Sequence, residues 1–318
     1  MAVFGLPLIA AAQLTDTTGV SEGLRGAPTI YKYDARTVAM GDATIADHTY
    51  ISSININPAN LSFLKSPLMV NFNSSQNWNN NLKVETLTVP VFMSRNHHIA
   101  GQVSYHHRGP EQTNFLNPSP QPNPELELFQ ADFAYAWSYE DVLSLGIMGN
   151  FTFAEYRDLN IMSFFPAVGV LYAPSDWISY AMAMRGLGLG ESLIYEIDEQ
   201  GETRMDHQDM RESLEIGATL HLPVDQDRTV VSISLANEKR FGESGLHYKG
   251  GVEVKPIPYL ALRTGVILHQ SVRNGQDETF TPRFGIGIGK NRFMLDYGIS
   301  YRNQPNERFH QLGVAIRF

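Results

Sequence analysis

Ten histidines and no cysteine set the range of chemistry open to this chain. Thiol nucleophiles, disulfides and zinc–thiolate sites are excluded. The histidines include two adjacent pairs, His97–His98 and His106–His107, which raises metal binding. Neighbours on a strand point to opposite faces, so His98 and His106 share one. At roughly 3.3 Å per residue they stand about 26 Å apart, too far for one ion. They read as rim and interior histidines. Ser144, Ser234, His221 and His269 raise serine hydrolysis, but nothing marks a nucleophile with a base and an orienting partner. The stretch 187–211 carries Glu191, Glu196, Asp198, Glu199, Glu202, Asp206 and Asp209 against Arg204 alone. No spacing in it matches a calcium loop, and it reads as a solvated acidic loop. Neither a metal, a cofactor nor an enzyme activity is expected.

The remaining charges of interest sit on the polar side of alternating segments. They are Arg108, Glu215, Glu253, Arg263, Arg283, Asp296, Arg302 and Arg317. The elements that must carry them are strands. In Ile99–Arg108, Ile99, Gly101, Val103, Tyr105 and His107 oppose Ala100, Gln102, Ser104, His106 and Arg108. Leu143–Phe153 repeats the arrangement, with Leu145, Ile147, Phe151 and Phe153 opposite Ser144, Gly146, Asn150 and Thr152. Such period-two alternation marks strands with one apolar face. It also explains a mean hydropathy of −0.20 in a chain with 11% aromatic residues.

No apolar run reaches the roughly 18 residues that a membrane helix needs. A net charge of −9 without a basic block argues against nucleic acid. From 67 to 318 the pattern gives about fourteen strands, near 67–75, 82–93, 97–108, 126–138, 142–155, 161–173, 176–186, 212–222, 228–238, 245–255, 257–269, 279–289, 291–302 and 307–318. Their connectors alternate long and short. The long ones include 109–125, 187–211 and 270–278. The short ones are Ser94–Asn96, Tyr139–Asp141, Pro174–Ser175, Pro223–Asp227, Pro256 and Lys290. Outer-membrane barrels sort their loops in this way, whereas a soluble sandwich has no reason to. The fold class expected is all-β, a transmembrane antiparallel barrel in the bacterial outer membrane, with both termini on the periplasmic side.

The last strand ends on Leu312, Val314, Ile316 and the terminal Phe318, which share one face. It resembles the C-terminal signature of outer-membrane barrels, and implies the barrel-assembly machinery and outer-membrane lipid as partners. Tyrosines and tryptophans, among them Tyr105, Tyr139, Tyr172, Trp177, Tyr259 and Tyr301, close the apolar faces as girdles would. Pro90, Pro166 and Pro282 lie inside strands, where each removes a ladder donor and predicts a bulge or kink. Residues 1–12 have an apolar stretch and the run Ala10–Ala12, as a signal peptide does, without a basic start. Residues 13–66 alternate poorly and precede the barrel of 67–318.

Within them, Ala35–Leu61 resembles the N-terminal signature of the FadL-like outer-membrane barrels, a group that includes the PorV/PorQ proteins of type IX secretion. The matching residues are Arg36, Ala39, Gly41, Ala43, Ala46, Asp47, Asn57, Pro58, Ala59 and Leu61, with Asn60 where glycine is frequent. The resemblance implies fourteen strands and an N-terminal hatch in the lumen, carrying Gly41, Asp47, Asn57, Pro58 and Ala59. Inward glycines at 146, 217, 265, 285 and 287 would make room for it; the plainer alternative is a lead-in to the first strand. In FadL-type channels a strand kink opens a lateral path, which Pro90 or Pro166 would mark here. The functions implied are a channel for a hydrophobic or amphipathic small-molecule substrate, or a secretion component whose loops meet secreted client proteins. A sealed structural or receptor barrel is the third possibility.

Overall fold

The protein is described as a computed structural model over residues 34–49, 54–64, 69–77, 82–92, 94–108, 126–156, 159–187, 191–197, 203–209, 212–225, 229–241, 245–270, 279–290, 292–301 and 308–318. The expected signal peptide, Arg302 and the side chain of Arg108 lie outside the described residues.

Among the described residues, sixteen strands follow a short α-helix, α1 (Ala35–Ala39), and a 3₁₀ helix (Pro58–Phe63). Fourteen of the strands close a single antiparallel barrel. These are β1 (Met69–Asn77), β2 (Leu82–Phe92), β3 (His97–Arg108), β4 (Leu126–Tyr139), β5 (Leu143–Tyr156), β6 (Leu159–Ser175), β7 (Ile178–Arg185), β10 (Ser213–Asp225), β11 (Thr229–Arg240), β12 (Leu246–Ile257), β13 (Leu260–Gln270), β14 (Thr279–Lys290), β15 (Phe293–Tyr301) and β16 (Arg308–Arg317). The ends of the chain close the ring, since β1 pairs with β16 from Met69↔Arg317 to Asn77↔Phe309. Among the described residues every barrel strand pairs with a neighbour on each side over most of its length, which is how a barrel satisfies its backbone away from water.

The stretch 187–211, expected as a solvated loop, holds a hairpin instead. Strands β8 (Glu191–Ile197) and β9 (Thr203–Asp209) pair with each other, and β8 pairs with Leu159–Ser163 of β6. β6 thus serves two neighbours, β7 on its lower part and β8 on its upper part. Among the described residues β9 has β8 as its one strand partner.

The alternation read from the sequence places side chains as expected. Phe133 is 63% exposed on the outer face, while Ser144 and Ala136 are fully buried on the inner one. Ile99, Val103, Leu145, Ile147, Phe284, Ile288, Leu295 and Leu312 continue the outer apolar belt. Tyr139, Trp177, Tyr259 and Phe293 edge it beside the short turns, and Tyr105, Tyr248 and Tyr301 stand toward the long connectors.

The prolines depart from expectation. At Pro90 the β2–β3 register runs on without a shift, and so does β5–β6 at Pro166 and β13–β14 at Pro282. None of the three marks a bulge. Each sits where the ladder on its other side has stopped. β1 pairs with β2 only as far as Thr88, β15 with β14 only from Arg283, and β6 has neither β7 nor β8 as a partner between Ser163 and Ala167. Pro166 still accepts from Gly186 N at 2.9 Å through its carbonyl, and a residue without an N–H costs little where the regular ladder has ended. The shifts occur instead at Pro174, Pro223 and Pro256, near the short turns.

Candidate functional site

The inside of the barrel is occupied by the chain itself. Residues 34–49 and 54–64 are buried almost throughout, packed against α1-facing strands β13–β16 on one side and β3–β6 on the other. Local sequence explains their shape. Asp34 caps α1, its carboxylate accepting from Thr37 N at 2.7 Å. Gly41 and Asp42 then take positive φ and turn the chain. Asn57 caps the 3₁₀ helix by accepting from Ala59 N at 3.0 Å, with Pro58 in its first turn.

The wall is recessed to receive this segment. A Cβ on Gly146 would overlap the backbone of Pro58 and Ala59, and one on Gly265 would overlap Met40 and Gly41. Gly217 faces Ile45, Gly285 faces Ala39, and Gly287 lies beside Arg263 and Asp296. The inner alanines complete the seats. Ala134, Ala136 and Ala167 pack with Ile54 and Leu61, while Ala181, Ala183 and Ala236 pack with Ile45 and Ile56.

Polar anchors do the rest. Arg36 binds Asp47 at 2.6 Å and Glu253 of β12 at 3.0 Å. Arg263 binds the same Glu253 and Asp296, each at 2.5 Å. Lys255 adds a third cation to Glu253 at 3.2 Å. Among the described residues three carboxylates and three cations meet in this network, which is buried except at Lys255. Removing one partner of such a pair costs about 3–5 kcal/mol, because a charge is left buried and uncompensated. Burial by itself would raise the Asp47 carboxyl; the Arg36 guanidinium, with His221 and Thr49, outweighs it and holds Asp47 well below the usual carboxylate range. Arg283 reaches Asp42 at 2.7 Å.

Two further polar groups line the wall. Arg185 and Lys249 each bind both Glu215 and Glu238, at 2.7–3.1 Å. Arg185 also donates to Ile56 O at 3.1 Å, which ties this group to the inner segment. Asp132 accepts from the amides of Gln102, Gln130 and Asn150, and no cation pairs with it among the described residues. Asn55 of the segment donates to Gln102 at 2.7 Å.

A cavity of about 790 Å³ opens at the short-turn end. One side is His48, Phe63 and Leu64 of the inner segment, and the other is the turns at Arg95, Asp141 and Ala173–Trp177. The His48 ring lies 5.1 Å from Phe63 and 5.8 Å from His221, centroid to centroid.

Of the residues singled out in the sequence, Gly41, Asp47, Asn57, Pro58 and Ala59 all lie in the inner segment. Glu215, Arg263, Arg283 and Asp296 all point inward, and Leu312, Val314 and Ile316 face outward, with Phe318 exposed at the end. His98 and His106 are both inside, and no group of three metal-ligating side chains forms among the described residues. Ser144 donates to Ala59 O at 2.8 Å, and Ser234 shares a hydrogen bond with Thr219. His221 meets Ser232 at 2.9 Å, a serine that the spacing did not suggest. Arg185, Glu238, Lys249 and Asp132 were not singled out. Their signal was a charged residue at an inward position of a strand.

No family profile matches the chain, and no curated protein matches it. Solved structures do. The toluene transporter TodX of Pseudomonas putida superposes with a TM-score of 0.58 at 12% identity, covering 89% of this chain and 96% of that one. The toluene transporter TbuX of Ralstonia pickettii gives 0.58 at 12% identity, covering 91% and 99%. The monoaromatic hydrocarbon channel CymD gives 0.54 at 12% identity, covering 94% and 97%. This chain shares their barrel fold.

Proposed function

We propose that the chain is an outer-membrane channel for hydrophobic or amphipathic small molecules, with residues 34–64 acting as a hatch. The observation that carries this reading is how that segment fills the bore. It sits in recessed seats, but its main anchors are ion pairs and hydrogen bonds to a polar wall. Such contacts can be exchanged for water when the segment moves, whereas a fused apolar core could not part so cheaply. The outer apolar belt and its aromatic edges suit a lipid environment. The solved channels of the same fold carry toluene or monoaromatic hydrocarbons by name, which supports the substrate class.

In this reading, cargo enters from the long-connector end, which faces outward. The hatch shifts, and cargo passes to the short-turn end in the periplasm, where both termini lie. Residues 1–12 direct export, and Leu312–Phe318 are read by the assembly machinery of a Gram-negative cell. Pro166, where β6 changes partner, remains a proposed point of lateral exit; Pro90, at an undisturbed register, is a weaker one.

A second reading is a PorV/PorQ-like part in protein secretion. The raised hairpin Glu191–Asp209 favours it, because β9 offers a strand edge to a client. Uptake of radiolabelled toluene and oleate by cells with and without the gene separates the two. The channel reading expects uptake to fall on deletion with the exported proteome unchanged. Loss of exported proteins with uptake intact would reverse the order.

A further inference from the structure

The cavity at the short-turn end has a mixed lining, with an apolar part beside a polar and charged one. Phe63 and Leu64 of the inner segment face Val142, Ala173, Pro174 and Trp177 across it. Its volume, about 790 Å³, falls in the range of roughly 300–1,000 Å³ that holds a small organic ligand. The 3₁₀ helix supplies one wall, so any shift of that helix reshapes the space. The charges at its edge are also uneven. Among the described residues that line it, Arg95 is the one arginine or lysine, and it is exposed and lies 3.8 Å from an exposed Asp141. Asp176 adds a second carboxylate. An anionic headgroup would therefore meet two carboxylates against one exposed cation. A neutral molecule with an apolar body and at most a hydroxyl meets no such opposition.

We propose that this cavity is a binding site for uncharged apolar molecules on the release side of the hatch, and that it discriminates against carboxylates. The proposal rests on the channel reading and narrows its substrate class. A hydroxyl on the ligand would find His48, Ser62, Ser94 and His98 at the polar side of the cavity.

The test uses the full chain reconstituted in lipid vesicles and two photoreactive probes, a long-chain diazirine alcohol and the carboxylate of the same length. Labelled residues are mapped by mass spectrometry. The expected result is label on Phe63, Leu64 or Val142 from the alcohol, several-fold weaker label there from the carboxylate, and loss of both in Ala173→Trp, which fills the cavity. Val142→Trp, at the cavity edge, serves if Ala173→Trp does not assemble. Label confined to outward-facing residues of the strands overturns the site. Equal labelling by both probes overturns the discrimination. Uptake by cells is measured in parallel. Cavity labelling without uptake sinks the channel reading and leaves the site standing, whereas uptake without cavity labelling sinks the site alone.

Discussion

Arg36 and Glu253, 217 positions apart, meet through two hydrogen bonds of 3.0 and 3.2 Å, with both side chains at most 2% exposed. The pair joins the N-terminal segment to the barrel wall at the centre of this network. Arg36→Ala would leave Glu253 and Asp47 short of a cation. The expected effects are a loss of about 3–5 kcal/mol in the hold on the segment and a higher single-channel conductance in planar bilayers. Arg36→Lys keeps the charge but loses the fork geometry, so it should fall between the two.

The recessed glycines predict a different lesion. Gly265→Leu and Gly146→Val place side chains where Met40–Gly41 and Pro58–Ala59 now sit. The strands themselves lose no hydrogen bond. Both variants should reach the membrane as heat-modifiable barrels, yet leak small solutes as Arg36→Ala does. A barrel that assembles and stays tight would show that the segment does not depend on these seats.

The pH dependence follows from Asp47. Its carboxyl is held below the usual range in the folded protein, so its stabilisation is complete above the ordinary carboxylate value of about 4. It is lost only as pH falls through the lower folded value. Asp47 should therefore add no change in conductance from about pH 8 to pH 5, so that the difference between the unmodified channel and Asp47→Asn, which should conduct more at neutral pH, stays the same across that range. A difference that narrows across that range would contradict this assignment.

At the other end of the chain, Phe318 is 59% exposed in line with Leu312, Val314 and Ile316. Deleting Phe318 should lower the assembled fraction on semi-native gels without altering the conductance of those barrels that do assemble. Unchanged assembly would remove the terminal residue from the recognition signal.

The barrel was legible because each strand repeats one physical demand, an apolar residue outward and a small or polar one inward. The same demand puts Glu215, Arg263 and Asp296 at inward positions of their strands. The hairpin Glu191–Asp209 was not legible, since its acidic residues occur at both parities and give no apolar face. The prolines misled for a related reason. Sequence shows that Pro90, Pro166 and Pro282 lack a donor, but not that the neighbouring strand ends beside them. Arg36 stood out only as part of a motif. Its partner Glu253 could not be named, because the closed ring rather than sequence spacing brings the two together.

Movement of the 34–64 segment is the central claim, and the absence of cysteine allows it to be tested with one engineered bond. Ser144 and Ala59 touch, through Ser144 Oγ and Ala59 O at 2.8 Å. A chain carrying Ser144→Cys and Ala59→Cys can be locked by oxidation and released by reductant. The measurement is uptake of labelled toluene by cells expressing this variant, oxidised and then reduced. Uptake should stop in the locked form and return on reduction, with neither single variant responding. Uptake that continues at the same rate with the bond confirmed would mean that cargo does not need this segment to move.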